Sequence, residues 1–252
     1  MQNEERVTFL NNRGQALVGI LHHPDNGEAS TAAILCHGME SNKESEKLVA
    51  LSQALAKRGI LTLRFDFAYA GESSGKFEDI TYSGEVEDLR AAYDFIQRLS
   101  AEKIAILGSS MGGTVALLFA AEEKRVAALA TIAAPLHPEK ITEAILSREE
   151  VQQWRREGFL HYHGRRINMS LLEDIERLDV AGAVKKIVCP VLLLHGDRDD
   201  TVPVAEANEI YDCLVGSKRL VVLSGADHRL SDPSHLERAL EEAVDWLSQH
   251  LG

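Results

Sequence analysis

An α/β class with a mainly parallel sheet is predicted by two features of the 252-residue sequence. Short apolar runs rich in Val, Ile and Leu alternate with longer runs of amphipathic spacing, and that rhythm stops once, between Pro135 and Pro190. Alternation of this kind fits parallel strands covered by helices on both faces. The interruption fits a segment inserted into one domain. At this length a single large domain with a sizeable core is expected, giving a core of residues 1–135 and 187–252 and a small cap of residues 136–186.

The elements follow in order. Residues 7–10 and 16–21 read as an opening hairpin, separated by the turn-forming run Asn11-Asn12-Arg13-Gly14. Further strands are expected at 32–36, 61–65, 104–107, 127–132, 191–194 and 219–223. Helical spacing connects Leu48, Leu51 and Leu55, then Val86, Leu89, Tyr93 and Ile96, and finally Leu236, Leu240, Val244 and Leu247. The roughly fifty residues of the insertion read as helix and loop. No internal repeat or low-complexity tract interrupts the pattern.

Composition narrows the function classes. Apolar residues at 45% and charged residues at 26% are those of a folded globular chain. A formal net charge of -12 repels nucleic-acid phosphates and anionic lipid, so a small-molecule substrate is expected, with no nucleic acid and no membrane; a homodimer is the self-association kept open. The polar start Met1–Arg6 and the lack of an apolar run of roughly 18 residues lead to the expectation of a cytoplasmic protein. Cys36, Cys189 and Cys213 are widely spaced and read as buried free thiols. His22, His23, His161 and His163 have no ligand-like spacing, so neither a metal nor an organic cofactor is implied.

The chemistry-bearing motif is Gly108-Ser109-Ser110-Met111-Gly112, placed after an apolar strand and before the helix-like run 114–120. A serine in a strained strand-to-helix turn needs small neighbours, and only Ser110 has glycine at both -2 and +2. Its hydroxyl is a poor nucleophile without a general base, usually a histidine oriented by a carboxylate. Beyond later strands the chain offers the acids Asp197, Asp199 and Asp200 and then His228, in the order Ser, Asp, His. Donors for a developing oxyanion are expected from the N–H of Met111, after the nucleophile, and of Met39, in the loop Cys36-His37-Gly38-Met39-Glu40. His37 is expected to orient that loop.

Several runs bear on family: His37-Gly38-Met39-Glu40-Ser41-Asn42-Lys43, Arg64-Phe65-Asp66-Phe67, residues 71–81 and Gly225-Ala226-Asp227-His228. Over nearly its whole length the chain resembles the α/β-hydrolase superfamily, and in these runs the bacterial feruloyl/cinnamoyl esterase-like branch. The resemblance implies the α/β-hydrolase fold and a catalytic triad of Ser110, Asp199 and His228. Asp199 is preferred because residues 195–203 read H-G-x-x-D-x-x-V-P, with Asp197 and Asp200 as fallbacks. It also implies an oxyanion hole from Met39 and Met111. The sequence departs from relatives at Ala68-Tyr69-Ala70, where they commonly carry a basic residue and a Gly-His-Gly type turn.

The expected activity is that of a serine carboxylesterase acting on esters of small aliphatic or aromatic acids through an acyl-enzyme. Peptidases, thioesterases and carbon-carbon bond hydrolases use a similar triad, and the cap decides among them. Trp154, Phe159 and Tyr162 are candidates to line the pocket, or to form the cap's own core. A binding module on this fold is expected to have lost a triad member; here all three positions are filled.

Overall fold

The computed structural model describes residues 3–25, 29–99 and 101–252, so Met1-Gln2 of the polar N-terminal run lies outside it. Alternating side chains on the apolar strands settle the architecture. Ile34, Ile106 and Leu129 face one way into a core with Leu89 and Phe119, while Leu35, Leu107 and Ala130 face the other way with Leu51 and Leu247. Strand residues one apart point to opposite faces, so a sheet apolar on both sides needs helices on both sides.

The opening hairpin forms as expected, with β1 (Glu4–Leu10) antiparallel to β2 (Ala16–His22). The Asn11 side-chain oxygen accepts the N–H groups of Arg13 and Gln15, and Gly14 takes a φ of 73° to close the turn. β2 pairs antiparallel with β4 (Leu61–Phe65). From there β4, β3 (Thr31–Cys36), β5 (Lys103–Ser109), β6 (Val126–Ile132), β9 (Val191–Gly196) and β10 (Lys218–Leu223) run parallel in that spatial order. Because these strands are parallel, the loops leaving their C-terminal ends share one edge of the sheet.

Helices α1 (Glu46–Lys57) and α9 (Pro233–Leu251) cover one face. The other carries α2 (Tyr82–Arg98) and α3 (Met111–Glu122), with a 3-10 turn at Phe77–Asp79 ahead of α2 and α8 (Val204–Cys213) after β9. No helix among the described residues is long and apolar enough to cross a membrane. Cys36 and Cys189 are buried and Cys213 half-buried, all three as free thiols.

Between β6 and β9 lie α4 (Pro138–Ile145), α5 (Arg148–Glu157), β7 (Phe159–Tyr162), β8 (Arg165–Asn168), α6 (Met169–Arg177) and α7 (Val180–Val184). The sequence reading of helix and loop missed the β7–β8 hairpin. Its strands are four residues each, its turn is His163-Gly164 at φ 47° and 76°, and Arg, His and Asn interrupt an apolar pattern of which only Leu160 and Ile167 are buried. Such short strands leave too little period-two pattern to detect. The hairpin is held by core residues: Arg165 lies 3.4 Å over the Phe77 ring and Asn168 donates to Asp79 at 2.9 Å.

Candidate active site

β5 is central in the sheet, and the chain leaves it through Ser110 at φ 54°, ψ -125° before α3 begins at Met111. A side chain in that region costs roughly 1–3 kcal/mol and persists where the surroundings over-determine it. The Ser110 N–H donates to Ile132 O at 2.8 Å. A Cβ at Gly108 would fall 2.1 Å from Gly112 O, and one at Gly112 would fall 2.3 Å from His37 O, so the turn closes only with glycine on both sides.

Ser110 Oγ lies 3.1 Å from His228 Nε2, and His228 Nδ1 lies 2.8 Å from Asp199 Oδ2. His228 comes from the loop between β10 and α9, Asp199 from the loop between β9 and α8, so three loops at one sheet edge converge. The Asp199 side chain is buried, and its Oδ1 accepts the N–H groups of Thr201 at 3.0 Å and Val202 at 2.7 Å. Burial pushes its carboxyl upward in pKa. Hydrogen bonds from His195, His228 and the Val202 N–H outweigh that and hold it well below the usual carboxylate range. A carboxylate so held keeps the proton on His228 Nδ1 and leaves Nε2 to accept one from Ser110.

The other two loop aspartates are elsewhere. Asp197 Oδ1 accepts the Gly225 N–H at 2.6 Å, tying the acid loop to the histidine loop, and Asp200 is exposed beside the Thr201 hydroxyl.

His37 plays the orienting part expected of it. Its Nε2 accepts the Phe67 N–H at 3.1 Å and its Nδ1 donates to Gly38 O at 2.7 Å, which fixes one tautomer. Burial lowers its pKa to about 4, so the ring is neutral. The loop it holds abuts the nucleophile: a Cβ on Gly38 would sit 3.3 Å from Ser110 Cβ. Met39 follows in that loop, and Met111 opens α3, where an N–H has no acceptor within the helix.

Trp154 is buried in the core cluster. Phe159 lies under the Arg166 guanidinium at 4.2 Å. Tyr162 is half-buried and stacks on His163 at 4.1 Å, and His163 Nδ1 reaches Glu40 at 3.2 Å. The β7–β8 turn therefore touches the residue after Met39.

Sequence reasoning missed a buried charge cluster that shapes the neighbouring loops. Lys43 Nζ donates to Asp66 Oδ2 at 2.7 Å and lies 2.8 Å from Glu72 Oε2, while Asp66 also accepts the N–H groups of Lys43 and Glu72. Its signal was present: Lys43 and Asp66 stand in two of the runs that carry the family resemblance. At the divergent loop, Tyr69 takes a φ of 119° and its hydroxyl donates to the buried Glu85. His137, Glu206 and Glu209 bring ligand-type atoms within 4.8 Å of one another. There Glu206 accepts the N–H groups of Leu136 and His137, and His137 Nε2 lies 2.9 Å from Glu209, so these groups fasten the start of the insertion to α8.

Residues 29–186 match a family model described as an alpha/beta hydrolase domain. The chain belongs to the α/β-hydrolase family. It is 26% identical over 232 residues to the palmitoyl-protein thioesterase ABHD10, mitochondrial, of Bos taurus, spanning 87% of this chain and 74% of that protein. Among solved structures, the ferulic-acid-bound Est1E of Butyrivibrio proteoclasticus superposes on this hydrolase with a TM-score of 0.87 at 26% identity, covering 97% of this chain and 99% of the other. The esterase domain of a Rhodothermus marinus protein gives 0.78 at 28% identity over the full length of both.

Proposed function

We propose that this hydrolase cleaves carboxylic esters of small aliphatic or aromatic acids through an acyl-enzyme on Ser110. The observation that carries the reading is the unbroken hydrogen-bonded path from Ser110 Oγ through His228 to Asp199. As Oγ attacks the ester carbonyl, His228 Nε2 takes its proton, and Asp199 stabilises the imidazolium that results. The N–H groups of Met39 and Met111 donate to the oxygen as it gains negative charge. His228 then protonates the departing alcohol, and water repeats the sequence to release the acid.

In this reading residues 136–186 act as a cap on the core of 1–135 and 187–252. Contact between the His163 turn and Glu40 supports it, since it brings the hairpin to the loop that carries Met39. Phe159 and Tyr162 on the hairpin are then the aromatic residues offered to the acyl group, while burial gives Trp154 a packing role. The acidic surface supports a small neutral ester as partner, and three free thiols support a reducing compartment such as the cytoplasm.

A second reading, thioester hydrolysis, is favoured by the bovine relative's name, because the same path attacks a thioester carbonyl equally well. Turnover of p-nitrophenyl esters, acyl-CoA thioesters and aminoacyl anilides by wild type and Ser110→Ala separates the readings. Esters turned over fastest, with activity lost in Ser110→Ala, is the expected result. A preference for acyl-CoA replaces esterase with thioesterase, and full activity in Ser110→Ala removes the serine mechanism.

A further inference from the structure

Lys47 stands beside the site and takes no part in the steps above. It lies in the first turn of α1, is half-buried, and its Nζ donates to Ser109 Oγ at 3.1 Å. Ser109 is the last residue of β5 and immediately precedes Ser110. Downstream, the strained turn is clamped by the close approach of Gly112 to the His37 carbonyl. Upstream, Lys47 bonds α1 to the Ser109 side chain across the packed face.

We propose that Lys47 is a positioning residue which, through Ser109 Oγ, holds the strand-to-helix turn so that Ser110 Oγ points at His228. This rests on the serine chemistry proposed above. Burial lowers the Lys47 pKa to about 8, and the carboxylates of Asp199 and Asp227 pull the other way, so at neutral pH it remains an ammonium. A cation that has given up part of its water gains from a fixed acceptor, and the Ser109 hydroxyl supplies one. Asp199 and Asp227 belong to the acid and histidine loops, so the charge that grips Ser109 is also favoured by the carboxylates of those two loops. Lysine has the reach for this; a short side chain at position 47 leaves the Ser109 hydroxyl without a donor from α1.

The test is steady-state hydrolysis of p-nitrophenyl acetate by wild type, Lys47→Met, Lys47→Arg, Ser109→Ala and the Lys47→Met/Ser109→Ala double variant. Ser110→Ala and the exposed-site control Lys57→Met run alongside. Lys47→Met should lose about tenfold in kcat with KM within about twofold, because a misaimed nucleophile is felt in the transition state and not in substrate binding. Lys47→Arg should recover most of that loss. Ser109→Ala should match Lys47→Met, and the double variant should be no worse than either, since one contact cannot be lost twice. Unchanged kcat, a loss confined to KM, or multiplying losses in the double variant overturns the proposal. Should Lys47→Met fail to fold by circular dichroism, Ser109→Ala decides alone: wild-type kcat there overturns it, and a tenfold loss at constant KM upholds it. Turnover surviving in Ser110→Ala sinks the underlying serine reading, whereas an inactive Ser110→Ala beside a fully active Lys47→Met sinks the positioning role only.

Discussion

At Asp199 three aspartates within four residues compete for one role, and hydrogen bonding separates them. Asp199 is buried against His228 and His195, Asp197 is committed to the Gly225 N–H, and Asp200 faces solvent. Asp199→Asn should therefore cost orders of magnitude in kcat by favouring the wrong His228 tautomer, with Asp197→Asn and Asp200→Asn retaining most activity. Loss centred on Asp197→Asn in the ester assay counts against the assignment. His37 carries a different prediction. Its folded pKa is lowered from 6.5 to about 4, so between those values the unfolded chain binds the proton and the folded one does not. The contribution of His37 to stability is then fully present above pH 6.5 and falls as pH drops toward 4, by about 3 kcal/mol. Asp199, with its pKa also lowered, contributes in the same direction but only below its ordinary value of 3.8, outside that window. Urea unfolding from pH 7 to 4 should show the slope in wild type and a shallower one in His37→Asn; equal slopes would assign the loss to other groups.

Elements differ in how openly their sequence announces them. The G-x-S-x-G turn was legible because its geometry needs glycine: adding a Cβ at Gly112 collides with backbone, which cannot swing aside as a side chain can. Gly112→Ala should cost over a hundredfold in kcat and lower the melting temperature, read by the ester assay and calorimetry; activity within tenfold of wild type means the turn is looser than the contacts imply. The β7–β8 hairpin was illegible for the opposite reason. Four-residue strands bearing Arg165, Arg166 and His161 leave only the cross-strand pair Leu160 and Ile167 as a buried apolar face, too short to show a period. They persist by contacts with other elements, through burial of Leu160 and Ile167 in the core, Arg165 on Phe77, Asn168 on Asp79 and His163 on Glu40.

For the molecule as a whole, the surface above the sheet edge bears on what can approach it. Charges recur through the insertion at 148–150, 155–157 and 165–166, and Ile145 is its one large exposed apolar side chain among the described residues. Docking on a fat interface needs a contiguous apolar patch of several hundred Å². Short-chain and aromatic esters should thus be hydrolysed faster than long-chain triglycerides, with no jump in rate as substrate passes its solubility limit. Initial rates with tributyrin and an emulsified long-chain triglyceride check this, and a sharp rise above the limit would replace esterase with lipase.

The sequence by itself determined the alternation of buried strands and covering helices, where along the chain the core strands fall, and Ser110 as the residue in the strained turn. Those properties reside in local pattern: apolar periodicity needs only neighbours in the chain, and glycine at fixed offsets reports a backbone constraint directly. The H-G-x-x-D-x-x-V-P run had already singled out Asp199, but how the hairpin lies against the Met39 loop and the bond from Lys47 to Ser109 were decided only by tertiary structure. Each joins residues far apart in the chain, and such contacts depend on where loops converge at the sheet edge, a distance that no spacing along the chain encodes.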